Sequence, residues 1–348
     1  MKNKKSTAII YHKDYLKHFP SSGCPERMSR IVKTLKLFID KNILKSAEIR
    51  TPEPATEDDL LRVHSKKYVD YLKDLSFFGG GAIDADTEVK TMTYEIAKLA
   101  AGGVMLAGEY VVSGKYKNSF ALIRPPGSHA TKDTGMGFCY FNNVSVMAAY
   151  LKEKYNLKKI LILNWGARAA NGTMEIFYND NWLLNISIHE DPDESFPGTG
   201  FMRQAGAGEG EGYTINIPVS KCTSDADYVY ILKNFVIPVA ESFKPELIVI
   251  SAGQDSHKDD MMSGLCLTEA GYGAMTKLMK GAAEKLCKGK IVVELEGGFE
   301  PGSLAKSNLE ILNSLIGLPC AEVTGKPKKE TVELVNKLKI QFSKYHKI

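Results

Sequence analysis

Short apolar runs that break off into glycine-, asparagine- or proline-bearing loops, with longer helical patterns between them, constrain this chain more than any other feature. The runs are Phe120–Ile123, Lys159–Leu163, Leu183–Ile188, Leu247–Ile250 and Ile291–Leu295. Helical periodicity predicts helices at about Tyr94–Val112, Val144–Lys154, Ala226–Phe243, Thr268–Leu286, Gly302–Leu315 and Glu330–Tyr345. Such alternation reads as a parallel sheet with helices against it. Several runs are apolar at every position, as a strand is when both of its faces are covered. We read a single α/β domain over 1–348, with a lysine-rich tail at about 326–348 expected as a solvated amphipathic helix.

Composition narrows the class. Of the 348 residues, 44% are hydrophobic and 25% charged, which supplies a packed core and excludes a disordered, collagenous or disulfide-scaffold chain. The 45 Lys+Arg against 41 Asp+Glu leave a formal +4 spread along the sequence, so charge gives no reason to expect nucleic acid. Apolar stretches stop well short of the ~20 residues a membrane helix needs, and the start, MKNKKSTAIIYHKDY, lacks the apolar core of a signal peptide. No membrane partner and a cytoplasmic location are expected. Cys24, Cys139, Cys222, Cys266, Cys287 and Cys320 form no CxxC pair, so reduced thiols are expected rather than bridges or a zinc knuckle.

The polar signals lie at strand ends. Four runs pass directly into distinctive loops: ALIRPPGSHA, LILNWGARAANGT, VISAGQDSH and VVELEGGF. Ligands of open α/β sheets bind beyond the carboxyl ends of strands, so these loops are expected to converge on one pocket. Gly79–Gly81 and Asp191–Gly212 are loops longer than a connection requires, a length that usually carries function. The stretch Gly206–Gly212 is not a phosphate loop, because no Lys-Ser/Thr follows it.

In order and over nearly the whole chain, these motifs resemble the zinc-dependent deacetylases of the histone deacetylase and acetylpolyamine amidohydrolase superfamily. The resemblance is carried by Pro25–Arg27, Val63–Ser65, the aspartate loop Asp84–Asp86, Arg124–Ala130 and Gly137–Asn143. It continues through Asn171–Thr173, Phe196–Gly200, Ser251–His257, Leu267–Tyr272 and Leu295–Phe299. It implies the arginase/deacetylase fold, a mostly parallel eight-stranded sheet flanked by helices. It also implies a Zn²⁺ held by Asp, His and Asp, two adjacent histidines as acid and base, and a tyrosine that stabilises the oxyanion.

Against that pattern the chain departs at most reactive positions. The histidine pair is Ser128-His129, leaving His129 as the remnant base. Where the family has D-x-D-x-H-H-G-[ND]-G, the chain has Asn164 to Gly172, with Gly166 and Arg168 at two metal-ligand positions and Asp255 alone retained. Phe299 stands at the tyrosine position. Glycine offers no side-chain donor and a guanidinium no lone pair, so no cofactor is expected, and Arg168 is expected to pair with Asp255. A potassium site implied around Asn164, Gly166, Arg168, Ser187 and Ile188 lacks its aspartates.

The substrate tunnel, by the same resemblance, is retained: Phe138 and Phe196 as facing walls, Met262 at the rim, Gly137 offering a carbonyl and Asp86 in the substrate-binding loop. The expected function is a pseudoenzyme of the family that binds or regulates, with an acyl-lysine or polyamine-like ligand, an active homologue or another protein as partner. The alternatives are a deacetylase with a rearranged metal site drawn from His189, Asp255, His257 and Asp259, a metal-free hydrolase using Ser128 and His129, and a purely structural protein whose pocket Arg168 plugs.

Overall fold

A computed structural model describes residues 5–348. The first four residues, part of the polar start and of the 1–348 domain, lie outside the described residues. Among the described residues ten strands form: β1 (Thr7–Ile10), β2 (Ala47–Arg50), β3 (Gly81–Ala82), β4 (Glu88–Val89), β5 (Asn118–Ala121), β6 (Ile160–Asn164), β7 (Leu183–Glu190), β8 (Thr214–Val219), β9 (Leu247–Ala252) and β10 (Ile291–Leu295). Eight of them make one sheet in the order β2-β1-β5-β10-β9-β6-β7-β8, and every neighbouring pair is parallel. β3 and β4 form a separate antiparallel pair, so the expected loop at Gly79–Gly81 is closed into a small ribbon around Asp84 and Asp86.

The apolar runs divide between two cores because successive strand residues point to opposite faces. Leu161, Leu163, Ile248, Ile250, Ile291 and Val293 enter one core. Ile160, Ile162, Leu247, Val249 and Val292 enter the other. The first is covered by helices Ser29–Asp40, Glu269–Cys287, Pro301–Ile316 and Lys329–Phe342, the second by Lys66–Phe77, Thr93–Val112 and Asn143–Tyr155. The tail helix is amphipathic, as expected, but not simply solvated: Val335, Leu338 and Phe342 sit in the first core. Among the described residues no helix is long and apolar enough to cross a membrane.

The helix expected at Ala226–Phe243 is interrupted. Asp225–Ile231 and Ile237–Phe243 are joined by a π-helical turn, Leu232–Val236. Pro238 explains it, since proline has no N–H to donate and its ring crowds the carbonyl one turn back. The three strands of the large sheet absent from the sequence reading, β1, β2 and β8, are short or interrupted by polar residues, and β2 and β8 are the sheet edges, where Pro218 is tolerated.

Candidate functional site

The loops after β5, β10, β9 and β6 are neighbours because those four strands are contiguous in the sheet. They enclose a cavity of about 130 Å³. On its walls stand Ser128, His129, Phe299, Asp86, Gly137, Phe138, Phe196, Met262, Gly166, Arg168 and Asp255, so one cavity brings together the reactive and tunnel positions, while His189, His257 and Asp259 lie off it. Gly137 and Phe138 both have left-handed backbones, φ 56° and 66°. A side chain at Gly137 would meet the rings of His129 and Phe196 at 3.0 Å, which is why glycine stands there. The rings of Phe138 and Phe299 pack edge to face at 5.5 Å, and those of His129 and Phe196 at 5.1 Å.

His129 Nδ1 lies 2.7 Å from Asn171 Oδ1, so Nδ1 carries the proton and Nε2 keeps its lone pair. Burial outweighs that bond and lowers the imidazole to about 4, with the Arg168 charge acting the same way. Ser128 offers His129 no hydrogen bond; its N–H and that of Gly127 donate to Glu296 Oε2 at 3.2 and 3.0 Å. Ser251 Oγ donates to Glu296 Oε1. Burial raises both Glu296 and its neighbour Glu294. Glu294 rises most, its neighbour Glu296 adding to the effect of burial, and has no hydrogen-bond partner at either oxygen, whereas Glu296 receives three donors that oppose its burial.

Arg168 does not pair with Asp255. Its Nη1 lies 2.8 Å from Glu190 Oε2, and its Nη2 donates to the Met262 carbonyl. The reason is the sheet: the Glu190 N–H donates to the Ala167 carbonyl at 3.0 Å, which brings the end of β7 beside the loop after β6. Asp255 Oδ1 accepts the Ala167 N–H at 3.0 Å, and no side-chain donor among the described residues reaches it. Burial therefore raises Asp255, offset by that N–H and by the more distant Arg168.

The relocated metal cluster does not assemble. His189 is committed at both nitrogens, to Ser187 Oγ at 2.8 Å and to the Gly200 carbonyl at 2.9 Å. His257 stacks on Tyr272 and faces Glu269. Among the described residues no group of three or more His, Cys, Asp or Glu is placed to hold a metal.

A buried network behind the floor escaped the sequence reading. Glu26 accepts from Arg30 Nη1 at 3.0 Å and from Arg124 Nε and Nη2 at 2.9 and 2.7 Å. These guanidinium groups overcome the burial of Glu26 and lower it to about 2. Arg30 also holds the cavity wall, donating to the carbonyls of Gly298 and Glu296 and lying 5.1 Å above the Phe299 ring. The signal was present in Pro25–Arg27 and Arg124–Ala130, but Glu26 and Arg124 lie 98 residues apart in the chain.

A histone deacetylase domain model matches residues 22–315. A probable deacetylase of Archaeoglobus fulgidus is 41% identical over 91% of this chain and 88% of its own length. A histone deacetylase-like amidohydrolase of Pseudomonas aeruginosa is 33% identical over 86% of this chain and 78% of its own. Histone deacetylase HDA1 of Candida albicans is 37% identical, but the chain spans only 42% of that longer protein. The crystal structure of the HDA15 HD domain superposes with a TM-score of 0.92 at 30% identity, over 98% of this chain and 97% of that one.

These relatives correct the expectation that no cofactor belongs here: they are named deacetylases and the family is zinc-dependent, so zinc is the group the family brings to this pocket. What the cavity offers such an ion differs from the family's three ligands, with one carboxylate at Asp255, no side chain at Gly166 and no lone pair at Arg168. With a domain match over most of its length and a relative 41% identical nearly end to end, the chain belongs to the histone deacetylase family.

Proposed function

We propose that this chain is a pseudoenzyme of its family, a binding or regulatory protein that keeps the tunnel and lacks hydrolytic chemistry. The observation that carries the reading is the Phe299 ring on the cavity wall, packed on Phe138 and beneath Arg30, with no hydroxyl to donate to a carbonyl oxygen. Losing one oxyanion donor lowers a rate about 10²–10³-fold, and losing a positioned acid or base about 10²–10⁴-fold. Here both are replaced, by Phe299 and Ser128. The ligand class is an acyl-lysine or polyamine-like chain, which suits an apolar slot with a few polar groups. The protein partner is an active homologue or another protein. A cytoplasmic setting belongs to this reading and is supported by six free cysteines.

The second reading, an active deacetylase, is favoured by the printed names of the relatives. One assay decides between them: acetyl-lysine peptides and acetylated polyamines incubated with the purified chain, zinc supplied. The proposal expects no acetate release above a mock-purified control. Sustained turnover overturns it.

A further inference from the structure

The six cysteines are all free thiols, and two of them meet. Cys222 is the one exposed cysteine among the described residues; Cys266 is partly buried, with its thiol in hydrogen-bond reach of the Cys222 sulfur. Their segments run side by side in parallel. The Cys222 N–H donates to the Gly264 carbonyl at 2.7 Å and the Cys266 N–H to the Thr223 carbonyl at 2.9 Å, with Ser224 opposite Cys266. Thr268 continues the clip, its N–H and hydroxyl donating to the Asp225 carboxyl at 2.8 and 2.6 Å. Cys222 has a left-handed backbone, φ 55°, where a glycine costs least, and a thiol stands there instead.

The segment that carries Cys266 is also the rim of the cavity. Met262 lines the cavity and its carbonyl accepts from Arg168. Ser263 Oγ donates to the Asp255 carbonyl at 2.7 Å, and the Gly264 N–H to Glu190 Oε1 at 2.5 Å. Met261, in the middle of this stretch, is 99% exposed, so hydrogen bonds rather than packing hold the rim there. A covalent link at Cys266 fastens it to the chain just before the helix Asp225–Ile231. In a reducing compartment such a pair rests as two thiols and closes only under oxidation.

We propose that Cys222 and Cys266 are a modification site for hydrogen peroxide, a thiol pair that oxidation closes into a disulfide tying the Asp259–Gly264 rim to the segment ahead of the helix Asp225–Ile231. The exposed Cys222 sulfur attacks one peroxide oxygen, the O–O bond breaks and water leaves, giving a sulfenic acid. The Cys266 sulfur then attacks the sulfenic sulfur: the S–S bond forms, the S–O bond breaks, and the hydroxyl leaves as water with the Cys266 proton. Two thiols give up two electrons and two protons, and one peroxide becomes two waters. A dithiol reductant reverses the change by exchange. The site is the same whether the tunnel binds or hydrolyses.

The test is non-reducing peptide mapping by mass spectrometry after the full chain meets a stoichiometric pulse of hydrogen peroxide. Cleavage after lysine places the two thiols in peptides 222–233 and 259–277, each with one cysteine. These two are expected joined and two hydrogens lighter than their sum, in at least tenfold excess over any other linked pair, and parted again by dithiothreitol. Cys266→Ser is expected to leave Cys222 as a sulfenic acid that dimedone traps. Amide hydrogen exchange over 259–264 is expected to slow at least threefold in the bridged protein. Peptides that stay separate, whether Cys222 is untouched or carried on to a sulfinic acid, overturn the inference. So does a bridge that leaves exchange at the rim unchanged.

Discussion

Two places in this molecule bring arginine to buried acid, and they do so with opposite results. Behind the cavity, Glu26 accepts charged donors from Arg30 and Arg124 and is lowered to about 2. On the cavity wall, Asp255 has Arg168 in the neighbourhood but not in contact, and it is raised. Burial acts on both carboxyls in the same direction. The difference is the number of charged hydrogen bonds each receives, which decides whether desolvation or pairing prevails. The first region is built to hold the Gly297–Phe299 loop in place; the second leaves a carboxyl with one backbone N–H and no side-chain donor on a cavity wall.

The largest expected effect tests that contrast on stability. Glu26→Gln leaves two buried guanidinium groups short of a counter-charge and is expected to cost about 3–5 kcal/mol, read as a lower urea midpoint. Asp255→Asn is expected to cost less than about 1 kcal/mol or to stabilise, since it removes a buried carboxyl that no cation contacts. Equal losses in the two variants break the comparison.

Acid titration sharpens it next. His18 and His129, one in each region, are both lowered to about 4, chiefly by burial. Below the ordinary value near 6.5 the unfolded chain takes up protons that the native imidazoles refuse. Each site therefore loses about 1.4 kcal/mol of stability per pH unit as pH falls from 6.5 toward 4. Glu26, lowered to about 2, loses its contribution only on further acidification toward that value. Asp255, raised, has the opposite sign: its contribution is present at low pH and is lost as pH climbs through the carboxylate range. Histidine ring shifts followed by NMR are expected to show His18 and His129 neutral at pH 5, and a protonated ring at that pH contradicts the assignment.

Smaller effects concern Arg168 and Phe299. Glu190→Gln removes the one carboxylate paired with Arg168, which is about a fifth exposed and regains water, so about 1 kcal/mol is expected in the urea midpoint. Phe299→Tyr is expected to change stability by less than about 1 kcal/mol and to produce no turnover alone, because Ser128 still stands where the first histidine of the pair belongs.

Much of the fold was legible because its inner strands are apolar on both faces and its helices are long. β6, β9 and β10 were placed within two residues for that reason. The edges β2 and β8 and the first strand β1 were missed because four to six residues with polar or proline interruptions carry little period. The set of residues around the cavity was legible because each motif sits at a strand end. Their pairing was not. The expected Arg168–Asp255 bridge failed on a register detail, the Glu190 N–H reaching the Ala167 carbonyl, that no spacing in the sequence encodes. Glu26 and Arg124 escaped for the same reason, since they meet across 98 positions, and Arg30, though four residues from Glu26, reaches the Gly298 and Glu296 carbonyls across 268 and 266.

On the pseudoenzyme reading, the replaced side chains, and not a displaced scaffold, separate this pocket from hydrolysis. A residue added at Gly166 would stand 3.0 Å from Asp255 Oδ1, tight but open to a small adjustment. The direct test is therefore acetate release from an acetyl-lysine peptide, with zinc supplied, by the native chain and by one carrying Ser128→His, Asn164→Asp, Gly166→Asp, Arg168→His, Ala169→His and Phe299→Tyr together. The expected result is release by the six-position variant and none above background by the native chain. Release by the native chain at a comparable rate, or by neither protein although both fold, contradicts the account.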